Sequence, residues 1–291
     1  MKKQSLIIAL TIYFTFGFFS AAVAQDCSAN TDAVTILNGN NWAQCENATA
    51  DILQVSFYKL ALCTQKPTYQ DDTGCFYLLD SSSPVDVEIG VGMDNIPLVN
   101  GDVSIPEGTY SHAMLLIGTE LGLKSTFEFA TPQYDGEGNQ GQFCWTNGLP
   151  IIWGYQDYEA MVMTCGDEPE PEVSIENFKA FSDDNGGVVG QSLNNRTPDT
   201  VYDVYLLDDE MGEATVTTDG LGFPTGNAKY IWGVQKFDAP PTITAASTYV
   251  DMAFKITDGM GMGFNGFACN GSAACVEGVN VNGFQFVVDA D

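Results

Sequence analysis

Apolar and polar residues alternate along much of this chain with the period of a strand. Leu53, Val55, Phe57 and Ala61 alternate with Gln54, Ser56 and Tyr58 ahead of Cys63, the pattern of a half-buried strand. Comparable stretches are Cys75–Leu79, Val85–Val91, Tyr110–Ile117, Ser125–Phe129, Glu159–Thr164, Val173–Phe181, Val201–Leu207, Tyr249–Ile256 and Gly283–Val288. Gly, Pro, Asn and Asp, the residues of turns, separate them. No long stretch carries the 3.6-residue period of an amphipathic helix. Many short strands at near-regular spacing predict an all-β chain built from β-sandwiches.

Two interruptions of this pattern set the expected domain plan. At the start, Lys2 and Lys3 precede an uncharged apolar stretch, Leu6 to Ser20, and then Ala22-Val23-Ala24. That is the form of a cleaved secretory signal, with the mature chain starting at Gln25. The apolar stretch is shorter than the roughly 20 residues a membrane span needs. In the middle, Asp167-Glu168-Pro169-Glu170-Pro171-Glu172 combines like charges with proline at alternate positions, which extends a chain. The plan is therefore a signal peptide over 1–24, a β-sandwich over 25–165, an acidic Pro-rich linker over 166–172 and a second β-sandwich over 173–291.

Charge narrows the partners. Removing Lys2 and Lys3 with the leader leaves 8 basic against 38 acidic residues, a formal charge of −30. Such a surface repels nucleic acid and anionic membranes, tolerates salt and attracts cations. No nucleic-acid partner and no membrane insertion after signal cleavage are expected. The eight cysteines, Cys27, Cys45, Cys63, Cys75, Cys144, Cys165, Cys269 and Cys275, all lie in the mature chain. An even number in an exported protein reads as disulfides, and so as an extracellular, cell-surface or periplasmic location. Spacing suggests sequential pairs, although eight cysteines allow 105 connectivities.

Ile105-Pro106-Glu107-Gly108-Thr109-Tyr110 places a φ-fixing proline and a permissive glycine just before a strand. It resembles the P-x-G-x-Y turn-strand unit of exported transthyretin-like and related prealbumin-type β-sandwich modules. The resemblance covers about a dozen residues; it implies a sandwich fold and no activity. The chain also resembles itself: Ile152-Trp153-Gly154-Tyr155-Gln156-Asp157-Tyr158-Glu159 against Ile231-Trp232-Gly233-Val234-Gln235-Lys236-Phe237-Asp238. Related domains and recurrent strand chemistry both produce such a match.

Most apparent motifs fail on their chemistry. Asp72-Thr73-Gly74 lacks the second carboxylate an aspartic protease needs. Ser56-Phe57-Tyr58-Lys59 places serine and lysine on opposite faces of a strand, where S-x-x-K chemistry needs one helix face. Gly261-Met262-Gly263-Phe264-Asn265-Gly266 fits G-x-G-x-x-G but runs on towards Cys269 and Cys275 as a Gly-rich, disulfide-pinned loop. Met260 with Met262, and Met161 with Met163, suit packing better than copper. His112 is the single histidine, which excludes multi-histidine metal sites.

Oxygen-rich turns are the remaining candidates, and the possible cofactor they suggest is calcium. Asp135, Glu137 and Asn139 offer ligands at alternate positions, but Gln140 and Thr146 break the EF-hand pattern. Asp183 with Asp184, and Asp208 with Asp209, form two further such turns. The resulting expectation is an exported, non-enzymatic surface, matrix or appendage protein whose partner is a second copy of itself or an extracellular glycan. The alternatives are a calcium-assisted carbohydrate-binding protein and a glycoside hydrolase working through paired carboxylates.

Overall fold

In a computed structural model, the structure describes residues 25–27, 32–91, 104–151, 162–182, 188–190, 192–194, 202–219, 224–247, 250–256, 259–266, 269, 274–281 and 284–290. The leader, Asp183 and Asp184, and the first copy of the internal match lie outside them.

In chain order the first elements are β1 (Gln25–Asp26), α1 (Ala33–Leu37), β2 (Trp42–Ala48), β3 (Ile52–Cys63), β4 (Cys75–Gly90), β5 (Gly108–Thr109), β6 (His112–Gly118), β7 (Glu120–Lys124), β8 (Thr126–Tyr134), β9 (Gln140–Thr146), β10 (Met163–Gly166) and β11 (Ser174–Asn177). There follow β12 (Phe181–Ser182), β13 (Val188–Gly190), β14 (Ser192–Asn194), β15 (Tyr202–Leu207), β16 (Val216–Thr218), β17 (Pro224–Gly226), β18 (Tyr230–Lys236), β19 (Thr242–Ile243), β20 (Val250–Lys255), β21 (Met260–Asn265), β22 (Cys275–Val281) and β23 (Gln285–Ala290). The chain is all-β, as the alternation requires; α1 is a short plug, N-capped by Asp32, that buries Ala33, Ile36 and Leu37.

The largest sheet is centred on β3. Long β4 pairs one of its sides, and β6 and β7, separated only by Thr119, pair successive parts of the other. Beyond them β18 continues from β6 and β11 from β7, and β15 and β14 extend the β18 side. The inner face of this sheet, with Leu53, Val55, Phe57, Leu60, Leu62, Ile117 and Leu123, packs against a second layer. That layer holds the four-stranded β1-β2-β21-β22 sheet, the three-stranded β8-β9-β10 sheet and the two-stranded β20-β23 sheet. Phe57 meets Phe254 of β20 at 5.0 Å between ring centroids.

The expected division at 166–172 is not mirrored in the sheets. β18 lies after that segment, yet it is hydrogen-bonded to β6; β11 likewise pairs β7. One hydrophobic core runs from Ala33 to Phe286. Pro169 and Glu170 are exposed and irregular as expected, but Glu172 already donates its N–H to Thr146. The acidic stretch acts as a connection within the sandwich. Local composition reads stiffness and charge, and it carries no information on which distant strands will pair.

Two further readings change. The alternation of β3 reverses at a bulge between Phe57 and Lys59. Leu60 and Leu62 therefore join the main core, while Ala61 and Cys63 turn to the opposite face. The segment read as a Gly-rich loop is mostly strand β21, between β2 and β22. Met260, Met262 and Phe264 fill the core from one side of it. On the other side Gly261 and Gly263 lie beneath neighbouring side chains.

The Pro-x-Gly-x-Tyr unit closes on itself. The buried Tyr110 hydroxyl donates to the Pro106 carbonyl at 2.8 Å, and Gly108–Thr109 pairs with Thr242–Ile243.

Candidate functional site

The outer face of the largest sheet carries a second, smaller cluster of buried side chains, and register fixes what that face displays. Cross-strand partners point the same way. One row carries Cys75, Cys63, His112 and Lys236; the next carries Tyr77, Ala61, Met114, Val234 and Asp203. A third carries Asp80, Lys59, Leu116, Trp232 and Tyr205, and a fourth Gly118, Tyr230 and Leu207. Ala61, Met114, Leu116, Leu207, Trp232 and Val234 are a small apolar core of their own, rimmed by Tyr58, Tyr69, Tyr77, Tyr205 and Tyr230.

The tyrosines are half-buried and their rings touch. Tyr58 and Tyr230 meet edge to face at 5.0 Å. They meet over Gly118 of the strand between them, where a Cβ would make ordinary contact with the Tyr58 ring at 4.0 Å. Tyr69 packs on Tyr205 at 5.1 Å and on Trp232 at 6.4 Å. It arrives on the turn between Cys63 and Cys75, so the disulfide closing that turn anchors the flap that covers part of the face. The Asp72-Thr73-Gly74 tripeptide sits in this turn, with Asp72 accepting from the Tyr77 hydroxyl.

Carboxylates and lysines on the face hold one another. Lys59 lies 5.1 Å from the Tyr77 ring centroid and 3.5 Å from Asp80. Lys66 pairs with Asp203. Further along, Ser56 donates to Asp86 at 2.6 Å and Gln54 to Glu88 at 2.7 Å. Burial, then Lys66 and Lys236, hold the His112 pKa below its usual value, with Asp203 opposing them. Its Nδ1 is 2.8 Å from Ser111 Oγ. That hydroxyl also lies 3.1 Å from the Thr64 carbonyl, a second acceptor within its reach.

The oxygen-rich turns have other work. Asp135 is 1% exposed, and its two oxygens accept from Glu137 N, Asn139 N, Asn139 Nδ2 and Cys165 N. Asp208 accepts from Glu210 N and Gly212 N in the same pattern. In each turn the residue three after the aspartate has positive φ: 90° at Gly138 and 63° at Met211. These are Asp-organised turns whose carboxylates are occupied by backbone donors. Glu137, Asn139 and Asp209 are exposed. Among the described residues no three His, Cys, Asp or Glu side chains converge as a metal site.

All eight cysteines are paired, as Cys27–Cys45, Cys63–Cys75, Cys144–Cys165 and Cys269–Cys275. Four disulfides fit an oxidising compartment. No described helix is long and apolar enough to cross a membrane.

Among the described residues two carboxyls have raised pKa values, and they lie apart from the aromatic face. Glu176 on β11 is buried between the layers and accepts from Val281 N at 2.8 Å. Burial raises its pKa to about 7, against the lowering effect of that bond. Glu277 on β22 is raised by burial and lowered in part by the Asn265 and Trp42 side chains. Sequence reasoning missed both, along with Tyr58, Tyr69, Tyr205 and Tyr230 as a cluster. The alternation of Tyr77 with Phe76 and Leu78, and of Tyr230 with Ile231, was the available signal.

The fold and this face define a class: an all-β, disulfide-braced sandwich with a part-exposed aromatic sheet surface. No protein-family model, no curated protein and no solved structure matches the chain.

Proposed function

We propose that this is an exported, non-enzymatic surface, matrix or appendage protein that recognises its partner through the outer aromatic face of the large sheet. The observation that carries the reading is the cluster of half-buried rings on a sheet braced by Cys63–Cys75. Aromatic side chains supply large contact area at low entropic cost, which suits recognition. The carboxylates beside them are held by Lys59, Lys66, Ser56 and Tyr77, an arrangement for shape and not for proton transfer. Recognition by a face also agrees with the sheet edge. β4 pairs β3 alone in its sheet and carries Asp80, Pro84, Asp86 and Glu88, which discourage strand addition.

The test uses the full chain in its host. Fractionation and protease shaving of intact cells should place it outside the cytoplasmic membrane. Replacing Tyr58 and Tyr230 together by alanine should move it from the cell- or matrix-bound fraction into the medium, with its thermal transition still cooperative. A cytoplasmic location, or an unchanged bound fraction in the folded variant, refutes the reading.

A further inference from the structure

The four-stranded sheet of the second layer has an outer face of different chemistry. Its inward residues, Ala43, Cys45, Met262, Phe264, Val276 and Val279, belong to the core or pack against it. Strand alternation therefore turns Trp42 and Gln44 of β2 and Gly261 and Gly263 of β21 the other way. Trp42 is 50% exposed, an unusual position for the largest apolar side chain. Its indole lies over Gly263, where a Cβ would sit 3.7 Å from Nε1 and 4.0 Å from Cζ2. Beside it, Gln44 donates to Asn280 at 2.7 Å across Gly261. A Cβ at Gly261 would overlap both amides, so glycine there is what allows that pair to lie flat on the sheet.

Glu277 completes the group. The Asn265 and Trp42 side chains both hydrogen-bond to its carboxyl. Its Oε2, however, is buried with no hydrogen-bond partner among the described residues. That oxygen is closed to solvent, so Glu277 acts on the surface through the Trp42 side chain that it holds.

We infer that Trp42, Gln44, Glu277 and Asn280 form a binding site for a neutral glycan. An exposed indole face accepts the C–H side of a pyranose, the amides take and give hydrogen bonds to its hydroxyls, and Glu277, bonded to Trp42, fixes the indole's orientation from beneath. Charge selects the neutral class. A carboxylate at the centre of the site, on a chain carrying −30 once the leader's lysines are removed, repels uronic acids and sulfated sugars. The site needs no calcium, because its donors and acceptors are amides, one indole and one carboxyl. It stands on the opposite layer from the aromatic face of the large sheet and does not depend on that face.

The mature protein is run in native affinity gels containing hydroxyethylcellulose, xyloglucan, galactomannan or laminarin, with alginate as the anionic control and with calcium or a chelator in parallel. Retardation by at least one neutral polysaccharide is expected, equal in calcium and in chelator. Trp42→Ala should weaken it by about tenfold or more, the loss of one central aromatic contact. Glu277→Gln, which swaps an acceptor for a donor, should weaken it less. Trp42→Ala also takes a hydrogen-bond donor from Glu277 and should lower the melting temperature, so binding is read well below the transition of a variant that still unfolds cooperatively. No retardation by any of the four neutral polysaccharides overturns the inference. So does retardation that survives Trp42→Ala, or that is lost only in the Tyr58→Ala, Tyr230→Ala protein. The last result would place the glycan on the large sheet and leave the proposed surface role standing.

Discussion

Glu176 offers a stability measurement with a fixed sign. Its carboxyl sits between β11 and the end of β22, held by one backbone N–H. Burial raises its pKa from 4.5 to about 7 in the folded protein. Between those values the native state keeps the proton and the unfolded state releases it, so folding is linked to proton binding. The contribution to stability is complete below about pH 4.5 and is lost as pH rises through about 7. The loss is on the order of 3 kcal/mol, from 1.36 kcal/mol per pKa unit. Glu176→Gln removes the titration while keeping the shape, an acceptor for Val281 N–H and a donor where the carboxylic acid has its hydroxyl. Urea unfolding of both proteins, followed by tryptophan fluorescence from pH 4.5 to 8.5, gives the difference directly. The acidic surface titrates alike in both and cancels. The variant should match the wild type at the acid end and exceed it by about 3 kcal/mol above pH 8. That corresponds to roughly 6–12 °C in melting temperature for a chain of this size. Stability curves that run parallel across this range would refute the reasoning, since they would mean that Glu176 titrates alike in the folded and unfolded chain.

Asp135→Ala strips four hydrogen bonds from a buried turn and should cost about 2–4 kcal/mol by chemical denaturation. The cost should be the same in calcium and in chelator; a loss seen only in calcium would make Asp135 a metal ligand. Limited proteolysis should nick the exposed stretch around Glu168–Glu170. Every disulfide lies wholly on one side of that stretch, so a nicked chain is held only by its sheet and core. The two fragments should separate on a denaturing gel and co-elute at the intact size under native conditions; separation in native buffer would mean two independent domains.

The strand class of this fold was legible because alternation is local. Val201–Leu207, Tyr249–Ile256 and Gly283–Val288 match β15, β20 and β23 closely, since each carries its own inward and outward residues. The cysteine spacing was legible for the same reason. Cys63 faces Cys75 and Cys144 faces Cys165 directly across adjacent strands, so short separations became cross-strand pairs. Pairing between distant strands was not legible. Nothing in Tyr230–Lys236 announces β6 as its neighbour, because any two strands of suitable polarity offer the same backbone groups. The acidic segment therefore looked like a boundary when it is a crossing from β10 of one layer to β11 of the other.

The candidate sites were hidden by the same non-locality, with one exception that the chain did print. Gly261-Met262-Gly263-Phe264 alternates glycine with large apolar residues. Taken as a run of glycines it suggests a loop. Taken at period two it describes a strand with one face built for the core and the other left bare. A bare strand face buried in a sheet has a use only if something lies flat across it, and here Trp42, Gln44 and Asn280 do so. At Gly261 in particular, glycine is the residue that lets the Gln44 and Asn280 amides meet across the strand. Period-two glycine opposite bulky core residues is thus a better pointer to a surface site in this chain than any cluster of its 38 acids. Those acids are common enough to cluster by chance, and the two best of their turns, at Asp135 and Asp208, spend their carboxylates on backbone N–H groups.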